Sequence, residues 1–253
     1  MYKLKNLHCL IRPLITKLCI SHIRNFIPIG FYIFCCHIFI STKIYSNGFM
    51  NHNSRIYSCT CNRQRLKDLA GVYDGHCQQH PPPADSVCAR RVAVDDGVFG
   101  FEDLLQGHFQ QHLKTEVGDF ILRRKDGLFA YQLAVVVDDI AQGITHIIRG
   151  SDLLDSSPRQ CQLFDLLNYP RPVFGHLPVI VNQQGQKLSK QTFATPIDDS
   201  QASANMALVL DRLGHTLPSE LQQASCAEQL GWACQHWQRN QLPHGLNMPE
   251  THG

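Results

Sequence analysis

The sequence predicts an α/β protein built on a parallel sheet, and three observations carry that expectation. From residue 144 onward, an apolar run (Ile144 to Ile148), a helix-start signal (Ser156-Ser157-Pro158), a second apolar run (Leu177 to Val181) and a turn at Gly185 follow in order. That succession reads strand, helix, strand, loop, the usual wiring of a parallel α/β unit. Ahead of it, Cys59, Cys61 and Cys77 cluster as metal ligands do, and after residue 200 the pattern becomes helical. Ligands of such sheets gather beyond the C-terminal ends of the strands, where Arg149 and the Lys187–Lys190 loop fall.

With 253 residues and 43% hydrophobic content, the chain can bury one large core or two modest ones. Its net charge of +2 hides a division: no Asp or Glu precedes Asp68, whereas ten of the 23 Lys and Arg lie in residues 1–67. The remainder holds 13 basic against 21 acidic residues, a balance of −8. Overall charge therefore argues for no nucleic-acid partner, and RNA would need a local basic stripe. Of the eleven cysteines, Cys9, Cys19, Cys35 and Cys36 lie in the N-terminal segment, and Cys161, Cys226 and Cys234 sit singly in helical patterns, where a small buried hydrophobe is expected. One metal site in a reducing cytoplasm fits this spacing better than a disulfide framework.

Taken in order, residues 1–50 are rich in Ile, Phe and Lys and contain the apolar run Phe26 to Ile40. That run has 15 residues, is broken by Pro28, Gly30 and His37, and is shorter than the ~18–20 that cross a bilayer. No small-x-small cleavage site follows it. A leader foreign to the fold, from a wrong start or an upstream frameshift, is expected in preference to a membrane anchor. Residues 51–93 form the cysteine-bearing region, which runs into the stiff connector His80-Pro81-Pro82-Pro83. Residues 94–199 hold the α/β part. Phe99 to Leu113 reads as a short helix or as a strand followed by a helix, Gly118 to Gly127 as a β-rich stretch ending in a turn, and Tyr131 to Val137 as an apolar segment ending at Asp138-Asp139. A Ser N-cap with Pro158 at the first helical position opens the helix carrying Leu163, Leu166 and Leu167. Residues 200–242 are helical, with Ala202 to Leu213 stopping at Gly214 and one or two amphipathic helices over Pro218 to Trp237; residues 243–253 read as a frayed tail.

Three constellations carry chemistry. In Lys187-Leu188-Ser189-Lys190-Gln191, ammonium groups on a mobile loop suit charge developing on a phosphate, although a solvated Lys-rich turn is the commoner occurrence of such a run. Arg149 offers a rigid donor fork for a carboxylate, with Tyr131 as its companion; the plainer reading has Tyr131 half-buried in the core and Arg149 paired with Asp152 or Asp155, while Asp138 and Asp139 cap or turn. Cys59, Cys61 and Cys77 suit tetrahedral zinc, and spacing leaves His76, His80, Cys88 and Tyr73 open as the fourth ligand, with His favoured on chemistry. Reduced, unliganded cysteines are the alternative.

Lys187-Leu-Ser-Lys190-Gln, preceded by His176-Leu-Pro-Val-Ile-Val, resembles the KMSKS loop of class I aminoacyl-tRNA synthetases, with Leu for Met and Gln for the final Ser. Phe129-Ala-Tyr131 through Asp139, together with Thr145-His-Ile-Ile-Arg149-Gly, resembles the glutamate pocket of the glutamyl type. Cys59-Thr-Cys61 followed by Tyr73-Asp-Gly-His-Cys77 resembles the zinc motif of the glutamyl-queuosine tRNA(Asp) synthetases, truncated paralogues of glutamyl-tRNA synthetase. The resemblance spans His52 to Pro243, and the 63 residues after Lys190 leave no room for a separate anticodon-binding domain.

It implies a Rossmann-like class I catalytic domain with a zinc-binding insertion and a small C-terminal helical region. The implied activity is ATP-dependent activation of L-glutamate and its transfer to the queuosine base at the wobble position of tRNA(Asp). Lys187 and Lys190 would be catalytic, with Lys190 on ATP (with Mg2+), Tyr131 and Arg149 would contact L-glutamate, and Cys59, Cys61, Tyr73 and Cys77 would hold Zn2+. A cytoplasmic monomer without membrane association is expected. The family's Arg-Phe-Ala-Pro-Ser-Pro-Ser strand and His-x-Gly helix start have no counterpart in residues 1–50, so an incomplete N-terminal half and impaired activity are expected. An inactive zinc- and tRNA-binding remnant and a fragment of an ordinary glutamyl-tRNA synthetase are the alternatives.

Overall fold

In the computed structural model, which describes residues 54–189, 194 and 196–250, the chain forms two larger sheets and a two-stranded one, and Phe99 packs against both the main hydrophobic core and the smaller cluster of Ile147, Cys161 and Phe174. The expectations for residues 1–50, Lys190 and residues 251–253 lie outside the described residues. The first sheet is antiparallel, in the order β1 (Ile56–Cys59), β2 (Ala89–Val92), β5 (Phe120–Arg123). Short helices α1 (Arg63–Asp68) and α2 (His76–Gln79) lie between β1 and β2, and the Asn62 side chain caps α1 by accepting from the Arg65 amide. Because β5 belongs to this sheet and Tyr73 bridges to Gly118, a boundary at residue 93 does not separate the cysteine-bearing unit from the α/β part.

The second sheet runs β4 (Gly107–His112), β3 (Val98–Asp103), β7 (Val173–Leu177), β6 (His146–Gly150). Strands β3, β7 and β6 are parallel, and β4 closes a hairpin on β3. The stretch from Phe99 to Leu113 is thus mostly hairpin, followed by the four-residue helix α3 (Leu113–Glu116). The apolar segment at Tyr131 is helical, α4 (Tyr131–Ala141). Leu133, Val136, Val137 and Ile140 recur at helical spacing, and the first three are buried in the core beside Val92 and Leu122 of the first sheet.

Between β6 and β7 the chain passes a 3-10 turn (Ser151–Ser156) and α5 (Ser157–Leu166), which packs Leu163 and Phe164 into the same core. Ser156 makes no capping hydrogen bond, contrary to the N-cap reading; its hydroxyl receives Gln132 and Arg159 instead, and Ser157 is already helical. Carbonyls of the preceding turn, such as Leu154 O for the Ser157 amide, accept where a capping serine oxygen would otherwise do so.

The C-terminal region pairs α6 (Ala202–Arg212) with α7 (Cys226–His236) over Leu210, Leu217 and Ala233, and Ser225 and Glu228 form a capping box on α7. The tail corrects the frayed-end expectation. β9 (Asn247–Pro249) pairs in parallel with β8 (Val179–Val181), and the Leu246 carbonyl accepts from the Val179 amide at 3.0 Å and from the Ser151 hydroxyl. Strand β8 would otherwise leave its backbone groups unpaired at an edge, and the tail satisfies them. Among the described residues no helix is long and apolar enough to cross a membrane.

Candidate functional site

Two constellations stand out. The first lies at the C-terminal ends of β6 and β7, where Arg149 and His176 are register partners on neighbouring strands. Arg149 donates through Nε to His176 Nε2 at 3.0 Å and through Nη2 to Ser157 Oγ at 2.6 Å, and its guanidinium lies 5.3 Å from the centre of the Phe174 ring. Tyr131, the first residue of α4, interacts electrostatically with Arg149, so the structure brings these two predicted site residues together. Neither Asp152 nor Asp155 pairs with Arg149. Asp152 takes Lys187 Nζ at 2.5 Å instead. Burial lowers the Arg149 pKa, with Tyr131 and Asp139 opposing that shift. Asp139, buried in the last turns of α4, is pushed up to about 7 by burial, against the pull of Arg149.

Lys187 is exposed and follows the turn Asn182–Gly185; it bridges back to Val181, so the loop leaves β8 beside the same strand ends. Lys190 lies outside the described residues. What the sequence reading missed is the support beneath Arg149: Asp103, at the end of β3, holds His176. No spacing rule links residues 73 positions apart, and the only prior hint was His176 opening the apolar run before the Lys loop.

The second constellation gathers Cys59 from β1, Cys61 just after it and Cys77 from α2, with their sulfur atoms all within 4.8 Å of one another. The Tyr73 hydroxyl stands 3.5 Å from Cys59 Sγ and 3.4 Å from Cys61 Sγ, and accepts from the Cys77 amide at 3.0 Å. Among the spacing-compatible fourth donors, Tyr73 is the one inside the cluster. His76 and His80 stack on each other at 4.6 Å, and neither they nor Cys88 belong to the group.

Tyr73 is held there by its backbone. It bridges to Gly118, whose φ of 69° and missing side chain admit so close an approach: a Cβ on Gly118 would stand 2.5 Å from the Tyr73 amide nitrogen and closer still to its carbonyl oxygen. Arg91, buried, donates through Nε to Cys59 Sγ at 3.2 Å, and its guanidinium covers the Tyr73 ring at 3.9 Å. Burial opposes ionisation of the Cys77 thiol, but hydrogen bonds with Tyr73 and the Thr60 backbone outweigh it and bring the thiol down to about 6. Burial raises Cys61 and Tyr73. Three thiols, one of them easily ionised, and a phenol form a soft donor set suited to a tetrahedral metal ion, with the Arg91 cation buttressing it from beside.

Comparison with known proteins agrees with this geometry. The family described as "tRNA synthetases class I (E and Q), catalytic domain" matches residues 52–220. A glutamyl-Q tRNA(Asp) synthetase of Pseudomonas aeruginosa is 45% identical over 194 residues, covering 77% of this chain and 66% of that protein. One of Methylococcus capsulatus is 46% identical over 193 residues, covering 76% and 64%. The chain thus spans a little under two thirds of the length of these relatives. Among solved structures, a glutamate tRNA ligase from Elizabethkingia meningosepticum in complex with its amino acid superposes with a TM-score of 0.61 at 18% identity, covering 82% of this chain and 49% of that one. The glutamate-tRNA synthetase of Elizabethkingia anophelis gives 0.62 at 20%, covering 82% and 50%. At these identities the solved structures share the fold, while the match across residues 52–220 settles the kinship: the chain belongs to the catalytic-domain family of class I tRNA synthetases of the E and Q type.

Proposed function

We propose that the chain serves the ATP-dependent activation of L-glutamate and its transfer to the queuosine base of tRNA(Asp). The observation that carries this reading is Arg149, held from beneath and interacting electrostatically with Tyr131, at the strand ends from which the Lys187 loop also departs. A half-buried guanidinium in a fixed orientation suits the side-chain carboxylate of glutamate, because a permanently charged donor that does not rotate meets the carboxylate in one place. In the activation step the α-carboxylate oxygen of glutamate attacks the α-phosphorus of ATP, the bond from that phosphorus to the bridging oxygen breaks, and pyrophosphate leaves. Lys187 and Lys190 would stabilise the charge gathering on the leaving group, which grows in the transition state and so rewards a cation placed there. A nucleophile of the queuosine base then takes the glutamyl group and releases AMP.

Zn2+ fits Cys59, Cys61, Tyr73 and Cys77, where it would supply a structural cross-link between β1 and α2. The queuosine assignment follows the names of the relatives that are 45% and 46% identical. Since the body of the chain is acidic, its RNA contacts would have to come from local basic stripes. The reading places the chain in the cytoplasm as a monomer.

The test combines ATP–pyrophosphate exchange dependent on L-glutamate with transfer of labelled glutamate to tRNA(Asp) with and without queuosine. Exchange, weakened by the lack of a His-x-Gly counterpart in residues 1–50, and labelling of the queuosine-bearing tRNA alone are expected. Labelling at the tRNA 3′ end would assign an ordinary glutamyl-tRNA synthetase, and zinc and tRNA binding without exchange would assign a binding protein.

A further inference from the structure

Beneath the glutamate-pocket candidate lies a buried polar relay that the proposed chemistry does not use directly. Asp103 and His176 have side chains with no solvent exposure. Asp103 Oδ1 accepts the backbone amides of Leu105 (3.0 Å), Gln106 (3.0 Å) and His176 (3.1 Å), and Oδ2 lies 2.6 Å from His176 Nδ1. Burial works against its charge, but these donors prevail, with His176 foremost, and hold the carboxyl below its ordinary value. A carboxylate can only accept, so the proton between the two side chains sits on His176 Nδ1. On the far side of the ring, Arg149 Nε–H can only donate, so His176 Nε2 presents its lone pair to it at 3.0 Å. Ser157 Oγ, also 3.1 Å from Nε2, can take either role, so Asp103 and Arg149, each limited to one, fix the tautomer.

We infer that the Asp103–His176 pair positions Arg149: the carboxylate sets the tautomer, and the imidazole lone pair aims the guanidinium at the substrate carboxylate. An arginine on a flexible stem would otherwise spend its donors on whichever acceptor it reached. Here Nε is taken by His176 and Nη2 by Ser157 Oγ at 2.6 Å and the Leu153 carbonyl at 3.4 Å, so the guanidinium is oriented before any ligand arrives. Gln106 secures the arrangement from the side, donating to the His176 carbonyl at 2.7 Å and to the Gly245 carbonyl at 2.9 Å. His176 and Asp103 are positioning residues, since both are sealed from solvent behind Arg149. The inference rests on reading Arg149 as the glutamate ligand only for its consequence; the relay itself can be observed without any ligand.

The experiment uses the full chain labelled with nitrogen-15. Ring-nitrogen spectra, assigned by loss of the signal in His176→Gln, are expected to show His176 protonated on Nδ1, and Arg149 Nε–H to exchange slowly with solvent. Asp103→Asn, whose amide can turn its NH2 toward Nδ1, is expected to swap the proton to Nε2 and speed exchange of Arg149 Nε–H by about 10-fold or more. In parallel, L-glutamate titration is expected to weaken by ~10- to 100-fold in Asp103→Asn and to vanish in Arg149→Met. An Nε2-protonated His176 in the parent chain overturns the inference, and this readout needs no variant that folds. Glutamate binding that depends on Arg149 and ignores Asp103→Asn overturns it as well. Binding indifferent to Arg149→Met would instead overturn the pocket reading, leaving the tautomer result to judge the relay alone.

Discussion

Gly118→Ala is expected to dislodge Tyr73 from the cysteine cluster, and the structure sets the size of the effect. Two costs act together. Alanine at φ 69° carries a left-handed penalty of ~1–2 kcal/mol. Separately, the new Cβ, 2.5 Å from the Tyr73 amide nitrogen, must retreat to the ~3.5 Å of ordinary contact, which moves the Tyr73 backbone by about 1 Å. Metal ligands tolerate only about 0.2 Å, so the phenol would leave the donor set. Gly71→Ala is the control: its φ of 88° imposes a similar backbone penalty, but a Cβ there meets nothing within 4 Å. Zinc affinity of the purified chain, measured by competition with a chromophoric chelator, is expected to fall at least ~10-fold more in Gly118→Ala than in Gly71→Ala. Equal affinity in the two variants would refute the argument that close approach to Gly118 places Tyr73.

Asp139 titrates near 7 in the folded chain, above its ordinary 3.8, so the folded state holds a proton that the unfolded chain releases; the associated stability is present below about pH 4 and is lost as pH rises to about 7. Asp139→Asn is therefore expected to flatten the pH dependence of melting across that window and to gain a few degrees at about pH 8 relative to the parent. Leu133→Ala, at a site with no exposure inside the main core, is expected to cost ~2–5 kcal/mol in chemical denaturation. Asp152→Asn breaks a pair with Lys187 whose side chains are 35% and 48% exposed, so stability should shift by less than ~1 kcal/mol while hydrogen exchange at Leu188 quickens. Removing residues 244–253 deletes the carbonyl partners of Val179, Ser151, Gln106 and Arg212, and the melting temperature is expected to drop with exchange rising first along Val179–Val181.

The parallel unit was legible in the sequence because local signals coincide there. Apolar runs, a proline near the helix start and a glycine turn are each read within a few residues, and β6 and α5 follow in that order, but the second run, Leu177 to Val181, is mostly β8 paired with the tail, and the strand parallel to β6 is the less apolar Val173–Leu177 just before it. Arg149 and Tyr131 were legible as residue types in motifs, and the fold brings them close enough to interact electrostatically. The rest depended on contacts distant in sequence. Tyr73 outranks His76 and His80 as the fourth donor through its bridge to Gly118, 45 positions away, which no ligand-type preference encodes. Likewise the tail becomes a strand because β8 offers it an edge, and Asn247-Met248-Pro249 by itself carries no strand signal.

The two constellations also share a mechanical path. Gly118 pins Tyr73, and the next residue, Asp119, buried, accepts the Tyr57 hydroxyl at 2.5 Å and the Val94 amide at 3.0 Å while its carbonyl receives Arg91 Nη1 at 2.6 Å. Strand β5 begins directly after this knot, and the Leu122 carbonyl accepts the amide of Ala130, the residue that opens α4 and sets Tyr131. On the proposed reading, a cluster held rigid by metal at one end of this path would fix where Tyr131 starts at the other. Displacing Tyr73 would loosen Asp119 and β5 before it reached α4, so the order in which amide protection is lost, Cys77 first and Tyr131 last, is the signature of that path.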